Sequence, residues 1–267
     1  MKLIVLSDLH LTTPGEAIIG IAPWARLEQA LDHAQAQHPD AARYVLLGDV
    51  THDAPPGSYE RLAARLADLP VPVTMVPGNH DDRAALRAAF PDHPVCAGGF
   101  LQSLIDTPTH RLVFLDTLAE RPEPRHAGIL CPARLDWFAR ALDGANGRAV
   151  VVFMHHPPLA VGFPGMDRIG VANAEDFWAL ARGRVAHLVL GHIHRTISGA
   201  WQGTGFTVLK SITHQSPMKM DSTSSALSVA EPGAYGIVLL RPGGVVVHSD
   251  DFTLSDTGPV HSDPRSL

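Results

Sequence analysis

The sequence predicts a layered α/β fold, and three observations carry the prediction. Short apolar, β-branched runs recur through the first 190 residues, segments with helical spacing separate them, and each run stops at a cluster of polar or glycine residues. The first strand is predicted over 2–7, and the apolar spacing of 24–37 makes the following helix. The pattern then repeats as strand 43–47, helix 59–69, strand 71–76 and helix 83–90. Strand 111–116 leads to helix 132–142, where Pro132 suits a first turn and Gly144 a stop. Strand 149–154, helix 174–182 and strand 186–190 complete the alternation. Beyond His194 the texture changes to strands over 200–212 and 234–247, the latter folded at Arg241-Pro242-Gly243-Gly244 as a hairpin turn. Between them, 213–231 is rich in Ser, Thr and Met and reads as a long loop or arm. The expected organisation is a core over 1–212, that arm, closing strands over 232–254 and a mobile tail over 255–267.

A chain of 267 residues suits one α/β domain, and 45% apolar with 18% charged residues is ordinary for a globular protein. A net charge of −6 supplies no basic face for a polyanion, so no nucleic-acid polymer is expected as partner. Cys96 and Cys131 form no pair and are expected as free thiols of a reducing compartment. The N-terminus lacks the apolar stretch of a signal peptide, and nothing approaches a membrane span. The expected location is the cytoplasm, with no membrane partner.

The 16 histidines matter more by position than by number. Ser7-Asp8-Leu9-His10, Gly48-Asp49-Val50-Thr51, Pro77-Gly78-Asn79-His80-Asp81-Asp82, His155-His156-Pro157-Pro158 and Gly191-His192-Ile193-His194 each follow a predicted strand. Ligands of open α/β sheets bind beyond the carboxyl ends of the strands. Taken singly, each patch has a plain structural use: Asp8 or Asp49 as a helix cap, Asn79 as a turn residue, His155 or His156 as a packed imidazole. Five such patches at the same end of successive strands leave coincidence behind. Two Asp, one Asn and four His are too many ligands for one tetrahedral ion, and they divide into two partial shells if one carboxylate is shared. The imidazole–carboxylate mixture suits Zn, Mn, Fe or Co, being too rich in nitrogen for Ca or Mg and lacking thiolates. Two such ions form a clamp for in-line displacement at phosphorus.

In order, DLH, GDV, GNHDD, HHPP and GHIH resemble the motifs of the calcineurin-like metallophosphoesterase superfamily over roughly residues 1–195. GNHDDR, MHHPPL and Thr213-His214-Gln215 look most like the branch of class III cyclic-nucleotide phosphodiesterases and glycerophosphodiesterases. The resemblance implies a four-layer αββα sandwich of two mixed sheets. It implies one ion held by Asp8, His10, Asp49 and His194 and another by Asp49, Asn79, His155 and His192, with Asp49 the bridge. Two transition metals, hydrolysis of a small phosphodiester by metal-activated water, and His80 beside the leaving oxygen follow from the same source. Asp49 and His80 are the expected catalytic residues, with Asn79, His80, His214 and Arg168 against the substrate. Asp81 or Asp82 is expected to orient His80 or to cap the next helix, and His156 to support His155. Arg83 and the Met166-Asp167-Arg168 lip are further candidates for substrate contact. The resemblance also implies a homo-oligomer, with the 213–231 arm against a second subunit. The alternatives are a phosphomonoesterase of the same fold and a scaffold without metals; the complete ligand set weighs against the second.

Overall fold

The computed structural model describes residues 1–254, and the expected mobile tail lies outside the described residues. In chain order the first half runs β1 (Lys2–Leu6), α1 (Pro23–Gln37), β2 (Arg43–Leu47), α2 (Ser58–Leu66), β3 (Val73–Val76), α3 (Arg83–Ala89), β4 (Ser103–Asp106) and β5 (His110–Leu115). The second half adds α4 (Pro132–Asp143), β6 (Ala149–Met154), α5 (Pro164–Asp167), α6 (Ala174–Ala181), β7 (His187–Leu190), β8 (Ile197–Trp201), β9 (Thr204–Val208), β10 (Tyr235–Arg241) and β11 (Gly244–Asp250).

Two mixed sheets result, ordered β11-β10-β1-β2-β3 and β4-β5-β6-β7-β9-β8. Strand alternation explains how they stack. Leu3, Val5, Val45 and Leu47 meet Leu112, Phe114, Val151 and Phe153 in a dry layer between the sheets. Their neighbours Ile4, Leu6, Tyr44 and Leu46 face the other way, onto Trp24, Leu27 and Leu31 of α1 and Leu62 of α2. On the far side Val152, Met154 and Leu188 pack against Phe138 of α4 and Phe177 and Trp178 of α6. This is the four-layer αββα arrangement. β10 pairs antiparallel with β1, so the C-terminal strands complete the first sheet.

The differences from expectation have local causes. β3 begins at Val73 because Pro72 brings no N–H to the ladder. α2 stops at Leu66, ahead of the Leu69-Pro70 step, where the residue before proline disfavours helix. Residues 200–212 do not form one strand: β8 and β9 fold back at Gln202-Gly203, whose φ values of 51° and 85° make the twisted two-residue hairpin turn. The remainder, Leu209–Ile212 by position, leaves the sheet and runs beneath the strand ends, where the Ile212 amide donates to the Ser7 carbonyl (3.1 Å). β4 escapes sequence reading because it is a four-residue edge strand. Among the described residues no helix is long and apolar enough to cross a membrane.

Candidate metal centre

The strand ends turn abruptly. Asp8, His10, Asp49, His192 and His194 all have positive φ, between 45° and 70°, a region non-glycine residues seldom occupy. Buried hydrogen bonds enforce it. Asp8 N donates to Gly48 O (3.2 Å) and His10 N to Asp49 O (2.8 Å), so the loops after β1 and β2 travel together. Ser211 Oγ donates to Asp8 O (2.7 Å) and Thr213 Oγ1 to Leu9 O (2.8 Å) from below. The His192 amide donates to the Asp8 carboxylate (3.2 Å), as does Ser7 Oγ. Glycine is required where backbones meet: a Cβ at Gly78 would fall within 3.0 Å of the Asp49 carboxylate and amide nitrogen, and one at Gly48 within 3.0 Å of the His155 ring.

These turns deliver two groups of donor atoms. His194 Nε2 lies 3.1 Å from Asp8 Oδ1 and 3.1 Å from His10 Nε2. His155 Nε2 lies 3.3 Å from both Asp49 Oδ2 and Asn79 Oδ1. Asp49 Oδ2 is also 3.7 Å from His10 Nε2. Spacings near 3 Å between lone-pair atoms match the edges of a coordination polyhedron built on bonds of about 2.1 Å. Asp8, His10, Asp49 and His194 present donor atoms all within 4.8 Å of one another, a group that could hold a cation. Among the described residues His192 Nε2 is buried without a hydrogen-bond partner, which an imidazole tolerates poorly unless something else takes its lone pair.

The outer nitrogens are tied to backbone. His155 Nδ1 donates to Leu47 O (2.9 Å) and His194 Nδ1 to His214 O (2.9 Å), so in the neutral ring each Nε2 carries the inward lone pair. Electrostatics favours positive charge here. Burial opposes protonation of His155, but Asp49 and Asp8 outweigh it and push the imidazole up to about 9. Asp49, though buried, is held well below the usual carboxylate range by His155 and His80. His10 and His192 are driven well below their ordinary value, by burial first, and stay neutral.

A cavity of about 260 Å³ opens over this cluster, with His10, Asp49, Asn79, His80, His192, His194 and His214 in its walls. The arm supplies Ser225 to Ser228, α5 supplies Met166 and the loop after it Ile169.

Every expected ligand converges. The expected helpers divide. His80 lines the cavity, but neither neighbouring carboxylate orients it: its Nδ1 donates to His52 O (2.6 Å). Asp81 instead accepts from the amides of Val50, Thr51 and Gly78 and from Tyr59 Oη, at 2.9 to 3.1 Å. Asp82 caps α3 through the Ala85 amide (2.8 Å). His156 packs edge-on against His155, yet its own nitrogens are used by Thr117 Oγ1 (2.7 Å) and His126 O (3.1 Å). His214 is buried against His10 and His194, its imidazole lowered to about 3 by burial and by His194. Arg83 is turned away, bidentate on Asp116 and donating to Leu118 O. Arg168 lies outside the cavity wall and donates to Thr223 O (2.5 Å), bracing the arm.

Two residues were not anticipated. His52 and His126 sandwich the His80 ring, at centroid separations of 5.1 Å on either side. His52 directly follows the GDVT stretch, so its neighbourhood was visible; His126 sits in an aperiodic loop that carried no signal. Asn79 Nδ2 and His126 Nδ1 are 3.0 Å apart, a bond that turns the Asn79 carbonyl oxygen toward His155.

A profile of the family described as Calcineurin-like phosphoesterase matches residues 1–196. A probable cyclic nucleotide phosphodiesterase of Rhodopseudomonas palustris is 36% identical over 265 residues, covering 98% of this chain and 96% of that protein. The glycerophosphodiester phosphodiesterase GpdQ of Enterobacter lignolyticus is 28% identical over 244 residues, covering 87% and 84%. A dimetal phosphatase from Danio rerio shares the fold, with a TM-score of 0.70 at 15% identity over 93% of this chain and 95% of that one.

Proposed function

The chain belongs to the calcineurin-like phosphoesterase family, and from its buried donor cluster we propose that it is a binuclear metal-dependent phosphodiesterase acting on small diesters. The observation that carries the reading is the position of Asp49. One carboxylate oxygen accepts from the His80 amide (2.9 Å), while the other lies 3.3 Å from His155 Nε2 and 3.7 Å from His10 Nε2. An anion between two imidazole groups is what a shared ligand needs. In this reading Asp8, His10, Asp49 and His194 hold one ion and Asp49, Asn79, His155 and His192 the other. The donor set suits Fe, Mn, Zn or Co. When bound, the ions acidify a water and offset charge on the phosphoryl oxygens.

The chain's own residues do the rest. Asn79 carries no charge, so its neutral carbonyl adds no further negative charge to its half of the centre. His80 spends Nδ1–H on the His52 carbonyl, leaving Nε2 as the atom that passes a proton to the departing alkoxide when the ring is in its doubly protonated, cationic form, a contribution typically worth about 10²–10⁴-fold. The roof of Ala226, Leu227, Met166 and Ile169 sheds water from the reacting atoms. A cavity of about 260 Å³ is of a size to take a small ester. The names of the relatives, cyclic nucleotide and glycerophosphodiester phosphodiesterases, support diesters as the substrate class.

The test is hydrolysis of bis(p-nitrophenyl) phosphate by protein loaded with Mn²⁺, Co²⁺, Zn²⁺ or Fe²⁺, beside Asp49→Ala. Turnover well above the variant, with about two ions per chain by elemental analysis, is the expected result. Turnover no faster than Asp49→Ala refutes the assignment.

A further inference from the structure

A second and larger cavity, about 510 Å³, adjoins the first across His52, whose ring lines both. Its walls are backbone-tied rather than loose. The Leu11 and His52 amides bond to Val50 O (3.1 Å) and Leu11 O (3.0 Å), joining the two loops at their roots. Thr12 Oγ1 donates to Glu16 O (3.1 Å), and Ile18 and Ile21 exchange amide–carbonyl bonds of 2.9 Å around a turn with Ile19 at φ 44°. Trp24 Nε1 clamps the Thr12 carbonyl (2.8 Å) from α1.

The chemistry of this space is selective. Ala17, Ile18 and Pro55 give apolar surface, Thr13 a hydroxyl, and the acidic groups at its rim are the exposed Glu16 and Asp53, the latter 3.9 Å from His52 Nε2. Among the described residues no lysine or arginine lines it. The opposite flank, beyond Asn79 and His126, contrasts: a space of about 360 Å³ holding Glu120 and Glu123 together with Arg121 and Arg125. A diester with its phosphorus at the centre can extend one substituent past His52 and the other past His126.

Building on the phosphodiesterase reading, we propose that the Glu16–Asp53 pocket is the subsite for one ester arm, and that it selects an arm carrying positive charge, such as an alkylammonium group. An anionic arm meets two carboxylates there and is refused. The apolar floor accepts the methylene or methyl groups around the nitrogen, and the carboxylates supply the counter-charge.

The experiment compares p-nitrophenyl phosphorylcholine with ethyl p-nitrophenyl phosphate and p-nitrophenyl phosphate esters of a hydroxy acid. The reporter leaving group is common to all three. Wild-type protein should prefer the choline arm over the ethyl arm by about 3- to 10-fold in kcat/KM, the range two solvent-facing ion pairs carry together, and should disfavour the carboxylate arm. In Glu16→Gln/Asp53→Asn, with its melting temperature checked, the choline-to-ethyl ratio should fall toward 1, and in wild-type protein it should shrink with added salt. Equal rates on the three arms, or a choline preference that survives the double substitution, overturn the subsite while leaving the phosphodiesterase reading standing. Failure to hydrolyse bis(p-nitrophenyl) phosphate overturns both.

Discussion

Gly78→Ala adds one methyl group and should nearly silence the enzyme while leaving it folded. Gly78 does not occupy the left-handed region, so alanine is not excluded by backbone conformation. The obstacle is space: the new Cβ would lie within 3.0 Å of the Asp49 carboxylate and of its backbone nitrogen. Because both the carboxylate and the backbone nitrogen of Asp49 are met, side chain and turn must retreat together by an amount on the order of 1 Å to approach ordinary contact. The carboxylate is the group placed between His10 and His155. A displacement of about 1 Å in a reacting constellation costs on the order of 10²-fold in rate. The accompanying overpacking costs roughly 1–3 kcal/mol of stability, a melting-temperature loss of about 2–4 °C per kcal/mol for a chain of this size. The assay is kcat/KM on bis(p-nitrophenyl) phosphate at saturating Mn²⁺, with elemental analysis of bound metal and a thermal melt. Gly243→Ala is the control, since a Cβ there meets nothing within 4 Å. A folded Gly78→Ala protein with wild-type kcat/KM would refute the claim that Asp49's position is what the strand ends are built to fix.

Other consequences are open to measurement. His126→Ala removes the partner that turns the Asn79 amide, and metal affinity of the Asn79 half should fall about 10- to 100-fold by calorimetric titration; unchanged affinity would mean that the amide orients itself. Asp116→Ala leaves Arg83 and Arg134 with no carboxylate between them and should cost about 3–5 kcal/mol in denaturant unfolding, whereas Asp143→Ala, at an exposed pair with Arg184, should cost less than about 0.5. Asp106 is held below the usual carboxylate range by its hydrogen bonds from Arg111, with Arg148 nearby. Its contribution is whole above the ordinary carboxylate range and is lost as pH falls through the depressed folded value, so Asp106→Asn should slightly flatten the melting-temperature profile below about pH 4.

What could be foreseen divides by the range of the cause. Strands such as Ala149–Met154 and the helix opened by Pro132 are set by local alternation and capping, and they stand where periodicity put them. The donor residues were legible because each follows its strand directly, so topology alone brings them to one rim. Orientation was not legible. Which atom steadies His80 depends on a carbonyl 28 residues away, and the partner of Asn79 comes from an aperiodic loop 47 residues downstream. The β8–β9 hairpin was missed for a different reason: Gln202-Gly203 is a weak turn signal beside Asn-Gly, and the apolar run through it reads as continuous.

The order of causes at the centre runs from backbone to ligand. Among the described residues, five of the ten non-glycine residues with positive φ are Asp8, His10, Asp49, His192 and His194. Each such turn costs of order 1 kcal/mol and persists only where its surroundings over-determine it. Here they do, through amide bonds between the β1 and β2 loops, the hydroxyls of Ser211 and Thr213 beneath them, and Asp81 gathering three amides of neighbouring loops onto one carboxylate. The side chains that face the cavity contribute few of these bonds. A site assembled this way has its donor side chains braced by backbone bonds of the fold itself. It follows that Asp81, which touches no donor group in the cavity, governs the centre by holding the Gly78 turn against the loop that carries Asp49.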